Sequence, residues 1–411
     1  MAYVPLTPLG AEPDFSDTAA AIQATVRRFA REVLRPVGRE LDRMVPEEVI
    51  APGSPLWGVY GQFAALGFGV DDLLAMDPFD RSRTMAILFE ELGWGDAGLA
   101  ISIGAGLIPA MISAILGNAF CRNIATDAKL GCWMITEPDH GSDALDPARM
   151  IFHPQGEYGR PNCVVTLKGD ELVITGQKSA WVSNGTIGQV GILYAACDVG
   201  SGPDTRNGAV VIVPMDTPGI TRGKPLDKMG QRALNQGEIY FDNVRLSREH
   251  LLAGPEQYQQ ATYLVHTLAN GLMSAIFTGC ARAAYDLAVT YAHERKAGGV
   301  PIIRHQVVAH RLFHMFRKVE AACALSRRVL HYNFQAPAMA LQAAMAAKVT
   351  ATQTAFEVAS ESVQMHGGNG LARDYPVEKI LRDARASLIE DGCNEILAIK
   401  GGYHLMNPEL F

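Results

Sequence analysis

What the sequence lacks narrows the field first. No unbroken apolar run reaches the roughly eighteen residues that a membrane span needs, so none is expected. No basic region followed by an apolar stretch opens the chain, so no secretory signal is expected either. Positive charge is not in excess: 36 Lys and Arg stand against 43 Asp and Glu, a net charge of −7, which argues against a nucleic-acid surface. Cysteine is sparse. There are seven, at 121, 132, 163, 197, 280, 323 and 393, none of them in a Cys-x-x-Cys pair. An odd, scattered set gives neither a disulfide frame nor a zinc or other metal site, and fits reduced thiols in a cytoplasmic protein. With 48% hydrophobic and 19% charged residues over 411 positions, the chain is far from disorder and long enough for two or three domains.

What is present changes texture twice. From Ser16 or Asp17, either of which can cap a helix, Ile22, Val26, Phe29, Ala30 and Val33 recur at helical spacing. Pro36 is expected to end that helix. Further helices are expected around Leu56–Ala65 and Arg83–Leu92, then a Gly-interrupted apolar segment over Ala97–Leu116. Glu90 and Glu91, near Trp94, read as a solvated helix terminus. After Ala128 short β-branched runs take over. Residues 164–168 and 171–175 flank Gly169-Asp170, a two-residue hairpin signal, and strands are expected at Val190–Ala196, Ala209–Pro214 and Glu238–Phe241. From Gly254-Pro255 the pattern returns to long helices, about Glu256–Lys296, Ile303–Phe334, Pro337–Met365 and Tyr375–Ala386, with a last helix behind them. Long helices with short connections predict a four-helix bundle. The expected organisation is α+β: an N-terminal helical domain over 1–128, a middle β-barrel or sandwich over 129–247, and a bundle over 248–411.

Two stretches in the middle region carry chemistry. Trp133-Met134-Ile135-Thr136-Glu137-Pro138-Asp139-His140-Gly141-Ser142-Asp143 runs from an apolar strand into a turn with a small residue and hydroxyls. Gly176-Gln177-Lys178-Ser179-Ala180-Trp181-Val182-Ser183-Asn184-Gly185 repeats the theme, with an aromatic residue two before a hydroxyl. Strand ends that expose peptide N–H groups and hydroxyls can hold a flat polar ring or a phosphate. Together the two resemble the flavin-binding middle domain of the acyl-CoA dehydrogenase family, and the three-part layout extends that resemblance over nearly the whole chain. It implies FAD, with Thr136 and Ser183 directed at the flavin ring, Trp181 against its face, Ser142 at the pyrophosphate and the thioester ligand, and Trp133, Ile135, Gly141 and Val182 lining the same site.

In the bundle, His293–Lys296 followed by Pro301–Gln306 resembles a family stretch that reaches a neighbouring subunit's flavin. Arg295 would pair with the pyrophosphate, and His305 and Gln306 would lie near the adenosine half. Gly298-Gly299 replaces the usual Phe-Gly, which removes one apolar contact. Gln364-Met365-His366-Gly367-Gly368-Asn369-Gly370 resembles the second cross-subunit loop, with Gln364, Gly367 and Gly368 beside the adenine-side phosphates. Cys393 and Glu395 are further expected flavin contacts. The resemblance thus implies a homo-oligomer, usually a tetramer.

The stretch Arg382–Ile396 should carry the catalytic acid. In the family a glutamate follows Arg-Asp-Ala by some eight residues. Counting from Asp383 without gaps puts Asp391 there, with Gly392 after it, whereas Glu390 would need a one-residue insertion. Asp391 is therefore the expected base and Glu390 the alternative. An aspartate is about 1.5 Å shorter, which requires a substrate held closer or a shifted backbone. Asn270, an expected substrate contact with Ser142, stands where many relatives carry arginine. The implied activity is removal of an α proton and a β hydride from an acyl-CoA to give the 2-enoyl-CoA, in fatty-acid β-oxidation, with electron-transferring flavoprotein as acceptor. An alicyclic acyl-CoA, with Glu91 as a second acid, is one alternative substrate reading. An oxidase, a non-oxidising thioester enzyme and a non-catalytic flavin-binding subunit are the others.

Overall fold

Helix α1 (Asp17–Phe29) starts at the expected cap, where Ser16 Oγ accepts from the Ala19 N–H at 3.2 Å. The computed structural model describes residues 16–149 and 159–407. Pro36 does not stop the helix. A π-helical stretch, Ala30–Leu34, leads into α2 (Arg35–Leu41), and Pro36 falls in the first turn of α2, where its missing N–H costs little. Short helices α3 (Pro46–Val49), α4 (Leu56–Ala64) and α5 (Val70–Ala75) follow, then two long ones, α6 (Pro78–Gly95) and α7 (Ala97–Ile115), and α8 (Ala119–Ile124).

Glu90 and Glu91 are not a solvated helix end. They are 2% and 1% exposed. Glu90 accepts from Arg282 and Arg327, and Glu91 from Arg282, Arg27 and Gln23, at 2.5–3.0 Å. Two carboxylates leave water only when that many donors replace it. The network ties α6 to α1 and to the bundle.

Among the described residues the middle region is one eight-stranded sheet, β1 (Gly131–Met134), β2 (Cys163–Lys168), β3 (Glu171–Lys178), β4 (Val190–Asp198), β5 (Pro203–Pro214), β6 (Ile220–Arg222), β7 (Ile239–Ser247) and β8 (Leu251–Ala253). The strand path β6-β7-β3-β2-β4-β5-β8 leaves β6 and β8 as edges, so the sheet is open where a closed barrel was one of the two expectations. The hairpin over Gly169-Asp170 is as expected, with Lys168 opposite Glu171 and Gly169 at φ +59°. β1 and β2 share one edge of β4: β1 runs parallel beside Val190–Leu193 and β2 beside Ala196–Asp198. β4 is buried on both faces. Leu193, Ala195 and Cys197 face the sheet's own core with Met134, Ile174 and Phe241, while Ile192 and Tyr194 join the larger core shared with the helices. β8 carries the sheet to Ala253, past the expected boundary at 247.

The C-terminal region contains α9 (Tyr258–Glu294), α10 (Gln306–Gln335), α11 (Leu341–His366), α12 (Val377–Ser387) and α13 (Asn394–Met406). By length and composition alone α7 and α9 could cross a membrane, but 72% and 89% of their apolar windows are buried inside the protein. Their hydrophobicity belongs to the core, and α9 is the axis of it, packing on α6, α10 and α11.

Candidate functional site

The two motif strands meet directly. Trp133 and Ser183 form an antiparallel bridge, and Ser183 forms a second one with Gln236. The Ser179 N–H donates to Thr136 O at 3.0 Å. Beneath them Lys178, fully buried, donates to Glu137 Oε1 at 2.6 Å and to the carbonyls of Ile135 and Tyr194 at 3.0 and 2.7 Å. Asn184 takes a left-handed conformation, φ +59°, and its amide spans the carbonyls of Ser102 and Gly131. A buried ammonium and a buried amide with every partner supplied fix the two strand ends at one spacing. Thr136, Ile135 and Ser183 are half-buried, Val182 is buried, and Trp181 is 58% exposed.

These residues suit a flavin. The Trp181 ring is presented bare. Thr136 and Ser183 are half-buried, and among the described residues nothing lies within 4 Å of a Cβ placed on Gly141 and the buried Trp133 Nε1–H has no partner. Ser142 Oγ accepts from the Cys393 N–H at 3.1 Å, which leaves its own proton for a ligand. Ser142 and Cys393 therefore join the cradle to the acid loop.

That loop, Leu388–Cys393, reverses the chain between α12 and α13. Asp391 and Gly392 are both left-handed, φ +52° and +89°. A non-glycine residue held there costs on the order of 1–3 kcal/mol and persists only when its surroundings impose it. Here they do. Lys348, fully buried on α11, donates to Gly392 O and Asn394 Oδ1, each at 2.9 Å. Asn394 N–H donates to Leu388 O. Asn270, fully buried on α9, brings its Nδ2 to 3.5 Å from Asp391 O.

The two acids of the loop are treated differently. Glu390 Oε1 accepts from Gln231 Nε2 at 2.6 Å. Gln231 is itself left-handed, φ +51°, and anchored to Asp383 through its own N–H. No hydrogen bond among the described residues reaches the Asp391 carboxylate. Burial pushes Asp391 up to about 6, moderated by the Lys348 ammonium. Burial and the neighbouring Asp391 push Glu390 up to about 7, opposed by Gln231, Lys348 and Lys228. Burial raises both acids, and Asp391 is the one whose carboxylate has no hydrogen-bond partner among the described residues. Glu91 is engaged in the buried network described above, and the acid beside Asp391 is Glu390.

Gln231, Lys228 and Lys348 were not singled out in the sequence. Lys228 donates to Leu234 O and Gln236 Oε1, both at 2.7 Å, and Gln236 Nε2 donates to Trp181 O. Burial lowers Lys228 to about 7. The segment Lys228–Gln236 thus spans from the acid loop to the second motif.

The bundle residues form a separate patch. Tyr291 stacks on His366 at 4.1 Å and bonds His366 O and Asn369 Nδ2. This brings the end of α9, with Arg295, against the loop Gln364–Gly370. Arg295, Gln306, Gln364, Gly367 and Gly368 are exposed, and His305 is half-buried, its Nε2 on Ala297 O. Arg295 lies 25 residues beyond Asn270 along one helix, about 37 Å. The structure does not bring this patch to the cradle of the same chain. Glu395 is exposed in the first turn of α13.

The model for the acyl-CoA dehydrogenase middle domain matches residues 132–244, and that for the acyl-CoA dehydrogenase C-terminal domain matches 264–403. A probable acyl-CoA dehydrogenase YngJ of Bacillus subtilis (strain 168) is 32% identical over 76% of this chain and 79% of its own length. The mitochondrial short-chain specific acyl-CoA dehydrogenase of Rattus norvegicus is 28% identical over 96% of this chain and 91% of its own. Among solved structures, butyryl-CoA dehydrogenase from Megasphaera elsdenii superposes with a TM-score of 0.82 at 24% identity, covering 96% of this chain and all of that one, a likeness of fold.

Proposed function

Because the chain belongs to the acyl-CoA dehydrogenase family, we propose that it is an FAD-dependent acyl-CoA dehydrogenase in which Asp391 removes the α proton. The single observation behind that assignment is the contrast within the loop: Glu390 is held by Gln231, while the Asp391 carboxylate has no hydrogen-bond partner among the described residues. A base near its working pH, with no competing hydrogen bond, is what proton abstraction requires. Thr136, Ser142, Trp181 and Ser183 would hold FAD, which when bound would supply the hydride acceptor for the β carbon. The peptide N–H of Asp391 polarises the thioester carbonyl and so acidifies the α proton, as the family resemblance implies. Ser142 steadies the loop from the cradle side, and Asn270 from the bundle side. The left-handed backbone at Asp391 is the device that presents a side chain shorter than glutamate to the substrate.

The flavin is proposed to be completed by Arg295 and the Gln364–Gly370 loop of another copy, which makes the protein a homo-oligomer, a tetramer in the usual family arrangement. Electron-transferring flavoprotein is the proposed acceptor and fatty-acid β-oxidation the proposed setting. A reducing, cytoplasmic location is supported by seven free cysteines. A second reading, an alicyclic acyl-CoA as substrate, draws on Glu390 beside the shorter Asp391. A ring fixes its carbon–hydrogen bonds, and a shorter acid can be matched to them. Purified protein should be yellow, release FAD on denaturation, and lose its flavin absorbance when an acyl-CoA is added without oxygen. A colourless protein that neither binds FAD nor is stabilised by it would overturn the reading.

A further inference from the structure

The site contains buried polar atoms that nothing among the described residues satisfies. Among the described residues, both ring nitrogens of His266 and Asn270 Oδ1 have no hydrogen-bond partner, and the two residues are 2% and 0% exposed. They are one turn apart on α9. The Asn270 amide donates back to His266 O at 2.9 Å and lies 3.5 Å from Asp391 O. The His266 ring sits 6.3 Å from the Trp133 ring of the cradle. His266 therefore stands between the two halves of the reaction site. Buried polar groups are almost always paired, and an orphaned set beside a ligand site marks what the ligand brings. The imidazole is neutral, since burial holds its pKa well below the ordinary value and the neighbouring Lys400 adds to that. Lys400 is itself committed, donating to Leu145 O and lying over the Tyr263 ring at 4.8 Å. A neutral imidazole offers one donor and one acceptor, and Asn270 Oδ1 adds an acceptor. The adjoining face of α9, by contrast, lines a cavity with only apolar side chains, among them Leu107, Ile108, Leu268 and Leu272. An alkyl group has a place there and a charged one has none.

We propose that His266, together with Asn270 Oδ1, is a specificity-determining clamp that hydrogen-bonds an uncharged polar group of the bound thioester, a hydroxyl, ketone or amide. This rests on the acyl-CoA reading above. The group can be a substituent on the acyl chain or an amide of the pantetheine arm, and the two sources separate by experiment. Binding of hexanoyl-CoA and of 5-hydroxypentanoyl-CoA, matched in heavy atoms, is measured by calorimetry on the flavin-loaded wild type, His266→Phe and His266→Gln, and flavin reduction is followed in parallel. If the acyl chain supplies the group, wild type favours the hydroxylated ligand about tenfold, and His266→Phe abolishes that preference while leaving hexanoyl-CoA unaffected. If the pantetheine arm supplies it, His266→Phe weakens both ligands about tenfold. In either case His266→Gln recovers part of the loss, and the limiting rate of flavin reduction changes less than threefold. Unchanged affinity for both ligands in His266→Phe would overturn the proposal, as would a His266→Gln no better than His266→Phe. Should His266→Phe fail to fold, unchanged affinities in His266→Gln would overturn it equally. Calorimetry reads affinity whether or not flavin is reduced, so absence of any reduction would count against the dehydrogenase reading and not against the clamp.

Discussion

The acid loop and the end of the bundle are built on opposite principles. Around Leu388–Cys393 the chain supplies nearly everything: a buried Lys348, a buried Asn270, a hydroxyl from Ser142, and two left-handed residues imposed by those contacts. At the far end of α9, Arg295, Gln306, Gln364, Gly367 and Gly368 stand exposed beside the Tyr291–His366 stack. The first region is preorganised within one chain, as a group that must act within about 1 Å requires. On the proposed reading, the second becomes a site only when a second copy meets it. The proposal therefore assigns proton chemistry to single-chain geometry, and cofactor retention to assembly.

The comparison predicts effects of different kinds and sizes. The largest is Asp391→Asn, expected to slow flavin reduction by about 10²–10⁴-fold, the range for loss of a general base, with FAD content unchanged in absorbance spectra. Next is Lys348→Met, which strands Gly392 O and removes one of the two donors to Asn394 Oδ1. It should lower stability by roughly 2–4 kcal/mol, read as a drop in Tm. It also removes the charge that restrains the Asp391 pKa, so the rise of kcat/KM with pH should move above the wild-type midpoint of about 6. If the loop were no more preorganised than the bundle end, neither change would appear.

Arg295→Ala tests the other region. Losing one charge-assisted contact should weaken FAD about ten- to a hundredfold, seen as flavin lost on dialysis, with the rate of the loaded enzyme little changed. A stable monomer by light scattering that keeps its full FAD would break the comparison. The smallest effect is Glu390→Gln, a few-fold change in rate, because the side chain already serves as a hydrogen-bond partner of Gln231.

How much of this was legible in the sequence depends on distance along the chain. The cap at Ser16, the hairpin at Gly169-Asp170 and the long helices are local signals, and the structure keeps them. Pro36 misled because a proline stops a helix only when its N–H is needed, and a π-helical stretch ahead of it removes that need. Glu90 and Glu91 read as solvated because the arginines that bury them, Arg282 and Arg327, lie 192 and 237 positions away. The order of Asp391 and Glu390 followed from counting within one motif. What distinguishes their chemistry, the Gln231 amide 159 positions from Glu390, is a tertiary fact. His266 and Lys348 carry no motif at all, and only their burial marks them.

The most direct test of the account isolates the proton step from the redox step. Acetyl-CoA has α hydrogens but no β carbon, so it can exchange protons without being oxidised. Exchange of its methyl hydrogens with deuterated water, followed by NMR on the FAD-loaded enzyme, should occur in wild type and rise through a pH of about 6, as the Asp391 carboxyl ionises. It should persist in Glu390→Gln and vanish in Asp391→Asn. Exchange that survives in Asp391→Asn and disappears in Glu390→Gln would assign the base to Glu390 and contradict the account.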